Sequence, residues 1–156
     1  MISLPLTAIR AKHAGMTLRV RAVMDAVFLS EGSIGSAYVV ARRLGLRSRF
    51  QLARLLKREG LPPLHRVAEW ATVLSWVKAA EQTGASLRCI ALEARRHPSA
   101  CYRLVKEVTG LSWGEARSRG SSWACREFLE EFATTSRPSA RPHNRCVMKY
   151  RTVRSL

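Results

Sequence analysis

Two short stretches concentrate the side chains best suited to meet a polyanion. The first holds Arg47, Ser48, Arg49, Gln51 and Arg54; the second holds Arg95, Arg96, His97, Ser99, Arg103 and Lys106. Arginine matches guanine O6/N7, glutamine matches adenine N6/N7, and lysine, arginine and hydroxyl groups meet phosphate. Ser48 serves equally as a helix cap or a phosphate ligand. Arg95 and Arg96 fall in a turn, near phosphate, and His97 serves equally as a turn residue or a contact. A solvated basic face is the bland alternative for all of them. Other chemistry is poorly supplied. His97 and Cys101 stand four apart, which is half a zinc site at most, and no second pair lies nearby. Glu127, Glu130 and Glu131 make an acidic face without a nucleophile or base beside it, and Asp25 is the only aspartate. No P-loop, GxGxxG or HExxH motif occurs. The expectation is therefore no enzyme, no cofactor and no metal.

The charge supports this emphasis. The chain has 156 residues with 27 Lys plus Arg against 11 Asp plus Glu, a net charge of +16. Such a charge repels itself in a compact fold and is best tolerated beside a polyanion, with nucleic acid ahead of an anionic membrane surface. Its distribution is uneven. Residues 34–64 carry +6, 65–86 are neutral, 87–119 carry +4, 120–133 carry −2 and 134–156 carry +6. Two basic blocks flank a neutral spacer, so two contact surfaces are expected. No run reaches the length of a membrane span. The four cysteines form no CxxC pair, which suits free thiols in a reducing compartment.

The elements that position these residues read as helices throughout, with no useful strand pattern. Leu18–Leu29 has near-helical apolar spacing. Ser36 can cap a helix to Leu44, Ser48 one to about Arg58, and Ser86 one to Ala94. Pro98 opens a helix to Val108, and Ser112 with Glu115 forms a capping box. Gly45, Gly60, Gly84 and Gly110 supply stops. The longest helix is expected from about Leu64 to Gln82, inward along Leu64, Val67, Ala68, Ala71, Leu74 and Val77. Gly120 interrupts the last segment, and Ser122–Phe132 follows. Trp70, Trp76 and Trp113 are expected as packing anchors, with Leu52, Tyr102 and Cys89 in the core and Trp123 exposed. Residues 1–16 are expected to be a flexible lead-in and 134–156 a disordered basic tail.

An ungapped offset of 50 aligns Val40-Ala41…Gly60-Leu61 with Ile90-Ala91…Gly110-Leu111, setting Leu52 opposite Tyr102 and Leu55 opposite Val105. Each copy reads short helix, tight turn, longer basic helix, Gly-Leu stop, which is the layout of a helix-turn-helix. A spacer helix of about 19 residues is about 28 Å long at ~1.5 Å per residue. That is a little short of one DNA turn, ~34–36 Å.

Residues 17–119 resemble the DNA-binding half of AraC/XylS-type transcription regulators. Leu18–Leu29 resembles the family's first helix, Val39–Leu46 its first short helix and turn, and FQLARLLKREG at 50–60 its first recognition helix. IALEARRHPSACYRLVKEVTGLSWGEAR resembles the second motif, with Tyr102 to Lys106, Thr109-Gly110 and Arg117 in order. Arg95-Arg96 stand where the family has Gly-Phe, and Val105 where it has Phe. The resemblance implies an all-α fold of two helix-turn-helix units, about 17–63 and 83–119, joined by a linker helix about 64–82 within a domain 17–133. It implies a bacterial, cytoplasmic and nucleoid-associated regulator of transcription. Its partners would be double-stranded DNA and RNA polymerase, with no membrane. With about 16 residues ahead of the first helix, no sensor domain and no small-molecule effector site are expected. Two rival readings stay open. One is a degenerate helix-turn-helix module that binds a protein or RNA, and the other is the targeting domain of a DNA-handling enzyme.

Overall fold

The computed structural model describes residues 3–12 and 15–135, and side chains within 7–11 and 15–133. The fold is all-α, and among the described residues there is no strand. The helices are α1 (Ser3–Lys12), α2 (Leu18–Leu29), α3 (Ala37–Arg43), α4 (Arg49–Arg58), α5 (Leu64–Thr83), α6 (Leu87–Glu93), α7 (Pro98–Thr109) and α8 (Trp113–Thr135). No described helix is long and apolar enough to cross a membrane. The expected basic tail lies outside the described residues from position 136, as does Cys146.

Local chemistry sets the helix ends. The hydroxyls of Ser36, Ser48 and Ser86 accept from the amides of Val39, Gln51 and Cys89. At α8 the capping box closes: Ser112 N donates to Glu115 Oε2 at 2.9 Å, and Glu115 N donates to Ser112 Oγ at 3.4 Å. α8 is bent at Gly120 (φ 82°, ψ 175°), where Glu81 of α5 accepts from the Ser121 amide at 2.6 Å.

α5 is the axis of the molecule. The expected one-sided stripe is too narrow, because Trp70, Thr72, Val73, Trp76 and Ala80 are buried as well. α2, α6, α7 and α8 all pack on α5, so it is covered nearly all round. Phe28, Trp70, Phe128 and Phe132 form an aromatic cluster where α2, α5 and α8 meet. Trp123, expected outside, is only 8% exposed because it sits on the inner side of α8. Cys89, expected in the core, is exposed. The segment expected as a flexible lead-in carries α1, which packs on α2 and α8. Ile9 is buried at 1% exposure, and Arg10 makes two 2.8 Å hydrogen bonds to Asp25.

A polar clamp ties α5, α7 and α8 together. Arg66 Nε and Nη2 donate to the Glu131 carboxylate at 2.7 and 3.0 Å, and Trp70 Nε1 donates to it at 2.7 Å. Arg66 also reaches the carbonyl of Val108 at 3.3 Å, near the end of α7. Burial works to raise the Glu131 pKa, but the hydrogen bonds from Arg66 and Trp70 and the Arg66 charge outweigh it, so the carboxyl lies below its ordinary range. A depressed carboxylate pKa gives stability that is present above the unfolded value, ~4.3, and is lost as pH falls through the folded value. Glu131→Gln is expected to cost about 1–2 kcal/mol at pH 7, the screened end of the range for charged hydrogen bonds. Urea unfolding at pH 7 and pH 3 checks this, since the gap between variant and wild type should narrow at the lower pH.

Candidate nucleic-acid interface

α3–α4 and α6–α7 are built alike up to a point. In the first pair, Gly45 takes a left-handed conformation (φ 69°) and Leu46 N donates back to Ala41 O at 2.9 Å. In the second, Arg95 takes that conformation (φ 53°) and Arg96 N donates to Ala91 O at 2.8 Å. The two turns thus share one hydrogen bond at an offset of 50, with an arginine held where a glycine is easier. After it, the second connection is one residue shorter. α4 is capped by Ser48, whereas α7 has His97 at its N-cap and Pro98 in its first turn.

That missing residue resets the register of the longer helix. Leu52 and Leu56 are the buried residues of α4, and Cys101, Val105 and Val108 those of α7. Leu52 therefore corresponds to Cys101 and Leu56 to Val105, an offset of 49. The ungapped pairing of Leu52 with Tyr102 and Leu55 with Val105 is corrected by one residue. Tyr102, expected in the core, is 43% exposed for the same reason. α7 recovers the residue at its far end, which brings Gly60 and Gly110 back to an offset of 50.

At ~100° per residue, the direction opposite Leu52 and Leu56 is that of Phe50, Arg54 and Lys57. The direction opposite Cys101 and Val105 is that of Ser99, Arg103 and Lys106. In the corrected register these are equivalent positions, so the Arg-x-x-Lys pair occurs twice: Arg54-Leu55-Leu56-Lys57 and Arg103-Leu104-Val105-Lys106. All six residues are exposed. Among the described residues, no carboxylate pairs within 4 Å with Arg54, Lys57, Arg103 or Lys106. The faces differ next to the pair, where Arg58 in α4 corresponds to Glu107 in α7.

The remaining expected contacts divide into free and engaged groups. Arg47 and Arg95 are exposed in the two turns. Arg49 sits on the flank of α4, its guanidinium 5.0 Å from the Phe50 ring centroid. Ser48 is a cap in this structure. Gln51 faces backward: its side-chain carbonyl accepts from the Arg47 amide at 2.8 Å, so its acceptor is spent on the turn. Arg96 lies over Trp76 of α5 at 5.7 Å, and His97 Nδ1 and Ser99 Oγ are 2.7 Å apart. Cys101 is buried, and burial pushes its thiol pKa up against the opposing charge of Arg96, whereas His97 is exposed at the start of α7. Of the acidic face, Glu131 is consumed by the clamp.

Phe50 and Lys57 were not among the residues expected from sequence. Their signal was present, because both stand at helical spacing from Arg54, but a search for hydrogen-bonding side chains passes over a phenylalanine. At 62% exposure Phe50 is among the most exposed large apolar side chains of the molecule, and it stands in the middle of a cationic face. Comparison with protein-family models, with curated proteins and with solved structures returned no match for this chain.

Proposed function

We propose that the chain is a DNA-binding regulator of transcription that presents α4 and α7, as the second helices of two helix-turn-helix units, to successive major grooves of one duplex. The observation that carries this reading is the repeated outward Arg-x-x-Lys pair, which among the described residues has no carboxylate within 4 Å on either helix, although Glu115 acts on Lys106 from farther off. α5 has 20 residues, hence a length of about 30 Å at ~1.5 Å per residue, close to the ~34–36 Å of a DNA turn. The arginines suit guanine edges and the lysines phosphates. The α4 face lacks the acid that Glu107 adds to α7, so the first unit supplies the larger share of affinity. The resemblance to AraC/XylS-type regulators points the same way.

Selection from a random-sequence DNA pool at two salt concentrations tests this. One motif with two half-sites about a helical turn apart supports it. Salt-sensitive binding without an enriched motif overturns sequence reading and leaves only charge.

Phe50 sharpens the expectation. A phenylalanine on a reading face contacts the thymine 5-methyl group. Burying one methyl is worth about 0.8 kcal/mol, roughly fourfold in affinity. Replacing thymine by uracil in the first half-site is expected to weaken the wild type by about that factor and to leave Phe50→Ala unchanged. Equal losses in both proteins would remove Phe50 from the interface.

A further inference from the structure

A groove of about 680 Å³ runs between the loop after α2, the side of α4 and the start of α5. Its walls are mostly apolar, with Ile34, Phe50, Leu56, Leu61 and Leu64 among them, and it lies within the size range of small-molecule sites. Its charged rim is asymmetric. Arg49 and Lys57 stand on the α4 side with no carboxylate partner among the described residues. Glu69, the acid on the α5 side, is held by Arg66 at 3.6 Å. Apolar walls with cations at one edge that lack a carboxylate partner complement one kind of small ligand, an apolar body that ends in an anion.

We infer that this groove binds an amphipathic carboxylate, its chain along Ile34, Phe50 and Leu64 and its headgroup at the cationic rim on the α4 side, where Lys57 has no carboxylate partner among the described residues. Such a ligand brings a negative charge to the cationic α4 side. If α4 contacts DNA as proposed above, the ligand therefore weakens that contact; this consequence rests on the DNA reading, but the binding itself does not.

Dodecanoate, kept below its micelle concentration, is the probe, with dodecanol and acetate as controls. Binding to the full chain is read by amide chemical shifts without DNA. Saturable shifts confined to residues 32–37, 49–57 and 61–69 are expected, with dodecanol at least tenfold weaker and acetate silent. Ala53→Trp fills the groove from an exposed position and should abolish binding; Lys57→Glu, also exposed, should weaken it at least fivefold. Shifts without saturation, shifts elsewhere, equal binding of dodecanol, or undiminished binding to Ala53→Trp would each overturn the site. In a second arm, dodecanoate but not dodecanol should lower DNA affinity of the wild type and not of Ala53→Trp. Dodecanoate binding with unchanged DNA affinity overturns the coupling, whereas absence of any DNA binding overturns the proposed function and leaves the site standing.

Discussion

Gly32→Ala is expected to lose about 2–5 kcal/mol of unfolding free energy, a large share of the ~5–15 kcal/mol of an ordinary domain. Gly32 is left-handed (φ 82°) and lies directly against α5: an added Cβ would strike the Ala68 carbonyl oxygen and the Thr72 hydroxyl. Neither can withdraw. The first is backbone in the second turn of the central helix, and the Thr72 side chain is 5% exposed, with its hydroxyl 3.0 Å from the Glu31 carbonyl. The loop is also fixed from its own side, since Gly32 N donates to Val27 O at 2.8 Å. Left-handed strain accounts for about 1–2 kcal/mol and overpacking for about 1–3 more. Gly35 gives the control. It has nearly the same conformation (φ 78°), yet nothing lies within 4 Å of its added Cβ. Gly35→Ala should therefore show the strain alone, about 1–2 kcal/mol. Urea denaturation of both variants separates the terms. Equal losses would mean that the close approach of the loop to α5 contributes nothing to holding α2 and the α3–α4 pair on the central helix.

The ends of the helices were legible because they are local. A serine immediately before a helical run, or a serine and a glutamate three apart, makes its cap from atoms already adjacent in the chain. The core was legible only where one face of a helix is covered. α5 is covered on several sides, which its one-face pattern cannot convey, and Trp123 is buried by the direction of α8 after Gly120 rather than by its neighbours. The register of α7 failed on one residue. Two copies aligned at both ends hide a deletion in the turn matched by an insertion at the helix end, and only the burial of Cys101 and Val105 exposes it. The exposed basic residues of α4 and α7 were legible by type; the exposure of Phe50 and the backward turn of Gln51 were not, because residue type does not tell which way a side chain faces. The groove is assembled from three separate segments and has no contiguous signature at all.

The second large effect concerns the two equivalent arginines. Arg54→Ala and Arg103→Ala are each expected to cost about 1–3 kcal/mol on the preferred site, the worth of one bidentate guanine contact. They belong to separate helices with no shared partner, so their effects should add, and the double variant should lose on the order of 10²–10⁴-fold in affinity. Each single variant should relax the selected motif in one half-site and leave the other intact. The lysines provide the contrast. Lys57→Ala and Lys106→Ala should weaken all sequences alike, and each should reduce the slope of log K against log salt by about 0.9. Arg54→Lys separates charge from geometry: it keeps the cation but not the planar fork, so specificity should fall while the salt slope stays. Fluorescence anisotropy with the selected site and a scrambled site, across a salt series, reads every one of these quantities. If the double variant still enriches the wild-type motif, α4 and α7 do not read bases, and their matched arginines serve only as charge. If Arg103→Ala alone is silent, reading is confined to the first unit. On the proposed reading, that outcome would follow from Glu107 standing four residues after Arg103, where Arg58 stands four after Arg54.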